Sequence, residues 1–197
     1  LGTASLSEQQ MRSNNQPIAT LYVLSITGIV TGLQFGFPQL LPCLERTPSA
    51  FAQHQWWRLV TPLFVHDEGW RQIAFNFLSI LIVGILAERL WGSRRWLVLY
   101  FASGLIGELA GYAWKPLGAG ASVAGAGLLG SLAPGSLYKG KLMRARFGGA
   151  VILLAAAVLL FSHDLHGPPI LAGACLASAM FKAEASKRVT SNSHQEM

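Results

Sequence analysis

Four polar side chains in a largely apolar chain are the candidates for chemistry. Ser122 stands alone in GAGASVAGAGLLG, residues 118–130. A serine hydroxyl is a weak nucleophile until a base takes its proton, and histidine is the usual base. His166, directly before Gly167-Pro168-Pro169, can fill that role. A tetrahedral intermediate needs hydrogen-bond donors for its oxyanion, and the side-chain amides of Asn76 and Gln72 can supply them. Nucleophile, base and oxyanion donors together specify acyl transfer. Each residue alone has a plainer use. A serine between glycine and alanine lets helices approach, and an asparagine in a span can bond a neighbouring helix. A histidine at a helix end can simply face the interface. Position must therefore decide. Asp164, two residues before His166, reads as a solvated loop acid rather than the third member of a triad. His66, Asp67, Glu68, His163 and Asp164 match no metal-ligand spacing, so neither a metal nor another cofactor is expected.

The elements that would position these residues are apolar. Of the 197 residues, 52% are hydrophobic and 12% charged, and mean hydropathy is +0.42. A soluble domain carries roughly 25% charged residues, so a membrane protein is the simplest reading. Residues 18–44, 72–87, 96–107, 116–138, 147–162 and 167–181 contain no Asp, Glu, Lys or Arg. A bilayer span needs about 20 apolar residues. The first and fourth runs meet this, the third does so if Glu108 lies inside, and the others need uncharged or interfacial flanks. The pattern predicts six transmembrane helices in an all-α, polytopic bundle.

Cytoplasmic loops are enriched in Lys and Arg, which tests the count independently. With the N-terminus inside, Arg46, Arg58, Arg71 and Lys115 lie outside and the other eleven of the 15 basic residues lie inside. Both termini are then cytoplasmic. The net charge of +6 describes a membrane face that meets lipid headgroups and calls for no nucleic acid. This topology also sets depth. The second, fourth and sixth helices all run inwards. A second helix starting near Trp70 puts Asn76 about 9 Å below its outer end, and a fourth starting near Leu117 puts Ser122 about 8 Å down, at 1.5 Å per residue. His166 lies at or just below the outer end of the sixth, and Gln72 is one turn above Asn76. Gln72, Asn76, Ser122 and His166 thus share one layer in the outer third of the bilayer. Glu108 lies near the outer end of the third helix and can join that layer or bond a neighbour.

The remaining segments divide simply. Residues 1–16 and 184–197 are polar tails, expected to be poorly ordered, and 17–183 form the membrane domain. The first apolar run is too long for a cleavable signal peptide. Cys43 and Cys175 sit apart, and no disulfide is expected. The connection ERTPSAFAQHQWWRLVTPLFVHDEGW, residues 45–70, is too long for a tight hairpin. Its Trp56 and Trp57 suit an interface, and Phe51, Trp57 and Phe64 suggest a short amphipathic element. It reads as a folded, partly inserted outer loop.

QWWRLVTPLFVH, Asn76, ERLWGS at 88–93, GAS at 120–122 and His166 occur in the order that resembles the rhomboid intramembrane serine proteases. The likeness covers residues 18–182, and its landmarks include Trp57-Arg58 and Glu88-x-x-x-Gly92. It implies a six-helix rhomboid-like bundle whose outward-open, water-filled cavity holds a Ser-His dyad, with a bacterial plasma membrane as its location. The nucleophile falls on Ser122, the general base on His166 and the oxyanion asparagine on Asn76. The backbone N–H groups of Ser122 and Ala121 complete that hole, and Gln72 stands where the family has a donating histidine. Transmembrane protein substrates and membrane lipids are the implied partners; no oligomeric state is implied. Three positions depart from the family: Val123 replaces a glycine, Gln72 a histidine, and Ala126 the aromatic that stacks under the catalytic histidine. Pro168 and Pro169 fit the first turn of a helix. An alternative is an inactive rhomboid-like protein that binds transmembrane helices. A transporter would need polar residues along a whole path across the membrane, and here they gather on one side.

Overall fold

A computed structural model describes residues 16–50, 52–139 and 143–195. The apolar runs are helical: α1 (Ile18–Gly36), a short α2 (Leu40–Leu44), α3 (Trp70–Trp91), α4 (Ser93–Trp114), α5 (Ser122–Lys139), α6 (Met143–Phe161) and α7 (Gly167–Gln195). By length and composition α1, α3 and α4 are sufficient to cross a membrane, and α5 and α6 contain shorter apolar stretches, Ser122–Leu137 and Arg146–Phe161. Among the described residues the helices are joined by turns, and the sole bridge of extended backbone pairs Arg46 with Gly118.

Three boundaries differ from the sequence reading. The first apolar run does not continue to residue 44. It breaks after Gly36, because Pro38 fixes its own φ and bars the preceding residue from helix. The fourth run does not become helical at Leu117. Residues 117–121 are non-helical, and α5 begins at Ser122 itself. At the other end α7 runs on to Gln195 instead of fraying at residue 184. The stretch KAEASK supplies alanine, lysine and glutamate, which propagate a helix readily. The expected N-terminal tail lies outside the described residues except for Gln16, as do Phe51, Glu196 and Met197.

Two motifs from the sequence act as clamps. Glu88, near the C-terminal end of α3, is buried. Its Oε2 accepts the Thr20 N–H at 2.8 Å and the Thr20 hydroxyl at 2.7 Å. Its Oε1 accepts the Ala19 N–H at 2.7 Å and the Ser93 hydroxyl at 2.6 Å. A carboxylate thus satisfies the orphan donors that begin α1, where the helix dipole favours negative charge. Gly92, at φ +75°, makes the corner between α3 and α4. In the loop between α2 and α3 Arg58 is buried, and its Nη1 donates to the Pro42 and Glu45 carbonyls at 2.8 and 2.7 Å. The Thr61 hydroxyl donates to the Leu44 carbonyl at 2.7 Å. The orphan carbonyls that end α2 are thereby paired. Trp56–Leu59 and Thr61–Phe64 form two 3-10 turns, with Leu63 and Val65 buried and Trp56 and Trp57 outward.

α5 is the central helix, packed against α3, α4, α6 and α7. Its small residues allow this. A Cβ added to Gly130 would stand 1.9 Å from the Ile170 carbonyl oxygen of α7, and one on Gly173 would stand equally close to the Gly127 carbonyl oxygen.

Candidate active site

Ser122 is the first residue of α5, and the chain reaches it by an extended descent. Gly118 and Gly120 have φ of +148° and +151°, a region glycine adopts freely. The descent is held from the loop between α2 and α3. Arg46 and Gly118 exchange N–H···O bonds at 3.0 and 3.1 Å, and the Gly120 N–H donates to the Pro62 carbonyl at 2.9 Å. Ala121 is fully buried and begins the helical bonding, its carbonyl accepting the Gly125 N–H at 3.0 Å. As a first-turn residue Ser122 has a backbone N–H with no intrahelical acceptor. The hydroxyl therefore sits at the positive end of a helix, beside donors that can face an oxyanion.

His166 immediately precedes α7, and its Nε2 lies 3.0 Å from the Ser122 Oγ. The structure corrects the reading of Asp164 as a solvated acid. The Asp164 Oδ1 accepts the His166 backbone N–H at 2.9 Å and lies 2.7 Å from the imidazole Nδ1. The turn that brings it there is built by the end of α6. His163 adopts φ +55°, its N–H reaches the Leu160 carbonyl, and the Asp164 N–H reaches the Leu159 carbonyl at 2.8 Å. These two bonds close a Schellman-type helix end. Partial burial works against ionisation of Asp164, but the His166 N–H, the imidazole and the Lys115 ammonium together hold its carboxyl below the ordinary value. A residue two positions before a helix-capping histidine is well placed for a side-chain-to-N–H turn; that signal was present in HDLHGPP.

Asn76 and Gln72 face the same cavity, of about 380 Å³, which Ser122 and His166 also line. The Asn76 side chain is buried, and its Nδ2 has no hydrogen-bond partner among the described residues. An unpaired amide donor costs free energy unless something receives it. Gln72 is a correction. Its Nε2 donates to the Ala119 carbonyl at 2.9 Å and the Asp67 carboxylate at 3.1 Å, which commits both amide protons. It ties the extended descent to α3 instead of presenting a free donor. Glu108 lines the same cavity, ion-paired with Arg46, whose Nε also donates to the Lys115 carbonyl at 3.1 Å.

Two of the family departures have visible consequences. Val123 is buried against α4, where a Cβ on Gly107 would lie 2.1 Å from its Cγ1. The valine is admitted because Gly107 leaves room. Ala126 borders a second, mainly apolar cavity of about 250 Å³ that also touches Ser122 and His166, with Phe75, Ser79 and Leu159 on its far walls. Four of the five residues weighed as metal ligands have side-chain partners. His66 bonds Thr31, Asp67 bonds Gln72, His163 packs on Trp114 and Asp164 holds His166.

Comparison with known proteins gives the family. The family model described as the Rhomboid domain matches residues 53–179. Rhomboid protease GluP of Bacillus subtilis (strain 168) is 39% identical over 138 residues, 70% of this chain and 26% of that one. Rhomboid-like protease 3 of Toxoplasma gondii is 38% identical over 86 residues, 43% of this chain and 32% of that one. Rhomboid protease AarA of Providencia stuartii is 33% identical over 60 residues, 30% of this chain and 21% of that one. The chain thus spans a third or less of each of these three relatives. The matched region holds the Trp57-Arg58 clamp, Asn76, Glu88, Ser122 and His166, and the chain belongs to the rhomboid family.

Proposed function

We propose that this chain is an intramembrane serine endopeptidase that cuts transmembrane protein substrates with Ser122 and His166. The observation that carries the reading is the 3.0 Å contact between the Ser122 Oγ and the His166 Nε2, made where a polar and an apolar cavity meet. The polar cavity gives water a route to a nucleophile beneath the surface. The apolar one suits a side chain of the segment being cut.

The steps follow from the atoms present. The Ser122 Oγ forms a bond to the scissile carbonyl carbon as its proton passes to the His166 Nε2. The carbonyl oxygen becomes an oxyanion, received by the Asn76 Nδ2 and the N–H groups of Ser122 and Ala121. The C–N bond then breaks, and the leaving amine takes the proton from His166. Water attacks the acyl-enzyme, gives its proton to the same nitrogen, and returns the serine. Gln72 serves by holding the Ala119 segment in register.

The membrane disposition is part of the same reading. Six spans are counted as α1, α3, α4, α5, α6 and the first part of α7, in a plasma membrane with both termini cytoplasmic. The distribution of lysine and arginine supports that orientation. The Gly107–Val123 fit removes the main reason for taking the valine as a mark of inactivity.

The test is cleavage of a single-span model protein co-reconstituted in liposomes. Wild-type chain releases a fragment, whereas Ser122→Ala and His166→Ala release none while keeping wild-type helicity. Release by the Ser122→Ala protein at the wild-type rate overturns the reading.

A further inference from the structure

We infer that Asp164 is a positioning residue that completes a Ser-His-Asp relay in this chain. The inference rests on the Ser122–His166 reading above and adds a third group to it. The departure at Ala126 leaves the histidine without an aromatic beneath it, and the structure supplies a different support. One oxygen, the Asp164 Oδ1, holds His166 at two points: the backbone N–H at 2.9 Å and the ring Nδ1 at 2.7 Å. A bond to the backbone alone would satisfy the turn. The second bond fixes the rotation of the ring.

It also fixes the tautomer. An ionised carboxylate only accepts hydrogen bonds, so the proton of the neutral ring resides on Nδ1. Nε2 is then left with a lone pair directed at the Ser122 hydroxyl, 3.0 Å away. When Nε2 takes the serine proton, the ring becomes a cation whose charge faces the carboxylate. Asp164 itself neither gains nor loses a proton. The carboxylate is anchored in turn. Its Oδ2 lies 3.6 Å from the Lys115 Nζ at the end of α4, and its backbone is set by the α6 helix end. The other charged groups lining the cavity with His166 are Asp67 and Glu68 ahead of α3, and Arg46 paired with Glu108 of α4. None of these has a contact with the ring like that of Asp164.

The experiment measures phosphonylation of Ser122 by a fluorophosphonate in the detergent-solubilised full chain. In that reaction the serine oxygen bonds phosphorus, fluoride leaves, and the serine proton goes to the His166 Nε2. Asp164→Asn is the informative change, because asparagine keeps an oxygen for the turn and is favoured there but removes the charge. The maximal labelling rate should fall about 10²–10⁴-fold, with the half-saturating probe concentration changed less than about threefold. The acidic limb of the rate–pH profile should move to lower pH, because the imidazolium loses its counter-charge. A purely structural turn residue would move neither the limb nor the split between rate and saturation. Wild-type rate and an unmoved limb in folded Asp164→Asn protein overturn the inference and leave the protease reading intact. Undiminished labelling of a Ser122→Ala control overturns that reading first. If Asp164→Asn loses its helical signal, nitrogen NMR of histidine-labelled wild-type chain decides, with His166→Ala for assignment. A proton on Nδ1 of His166 supports the relay, and a proton on Nε2 overturns it.

Discussion

In the proposed mechanism Ser122 owes its reactivity to where the chain puts it. The same hydroxyl in mid-helix would bond the carbonyl four residues back, as Ser178 does with Ala174. At the start of α5 it is free to meet His166. In that mechanism Asn76 completes the arrangement with a buried Nδ2 that has no partner among the described residues. Asn76→Ala should therefore lower kcat about 10²–10³-fold with little change in KM. Cleavage kinetics on the liposome substrate would check this, and an unchanged kcat would remove Asn76 from the oxyanion site. That Ser122, His166 and Asn76 line one cavity was legible in the sequence, because polar residues at one depth of an apolar chain are costly unless used. Asp164 was not read correctly, since loop acids are ordinarily solvated. Its fold-back depends on a left-handed His163 that a sequence does not announce. Gln72 lines the same cavity, but its bonds to Asp67 and Ala119 depend on the path of a distant loop.

Elements meet here through absent side chains. Val123 fits because Gly107 faces it across the α4–α5 contact. Gly107→Ala should lower stability by about 1–3 kcal/mol, the usual cost of overpacking. Adding Val123→Gly should recover much of that loss, as thermal unfolding in detergent would reveal. A Gly107→Ala protein as stable as wild type would contradict the packing described. Glu88→Ala tests the other clamp. It strands the donors of Ala19, Thr20 and Ser93, at a cost of about 2–3 kcal/mol measured the same way, whereas an unchanged midpoint would show that the start of α1 is held by other means. The helices were legible as charge-free runs, and the Glu88 and Arg58 motifs as landmarks. The start of α5 was not, because glycine-rich apolar sequence suits both a helix and an extended descent, and only the pairing with Arg46 and Pro62 selects the latter.

For the whole molecule, the loop between α2 and α3 links stability to pH. His66 is buried, its Nδ1 3.1 Å from the Thr31 hydroxyl of α1, and its backbone is held by both ends of the Gln34 amide at 2.5 and 3.1 Å. Burial, opposed by Asp67, pushes its pKa from 6.5 down to about 4. Protons then bind the unfolded chain first. The stability this residue confers is complete above about pH 6.5 and is lost as pH falls towards 4. Asp164, held below its ordinary 3.8, adds a loss only at still lower pH. Thermal midpoints between pH 7 and 4.5 should decline, and His66→Asn should flatten the decline; a flat wild-type profile would contradict the burial of a neutral ring. All-helical architecture and membrane character were evident from composition. The meeting of loop, descent and α7 around one cavity was not, because it joins residues far apart in sequence.

The most direct measurement is labelling of the detergent-solubilised chain with a fluorophosphonate probe, beside Ser122→Ala and His166→Ala. The expected result is labelling of the wild type that is lost in both variants. Labelling that persists in folded Ser122→Ala, or a folded wild type that takes no label, would contradict an activated nucleophile in GAGASVAGAGLLG.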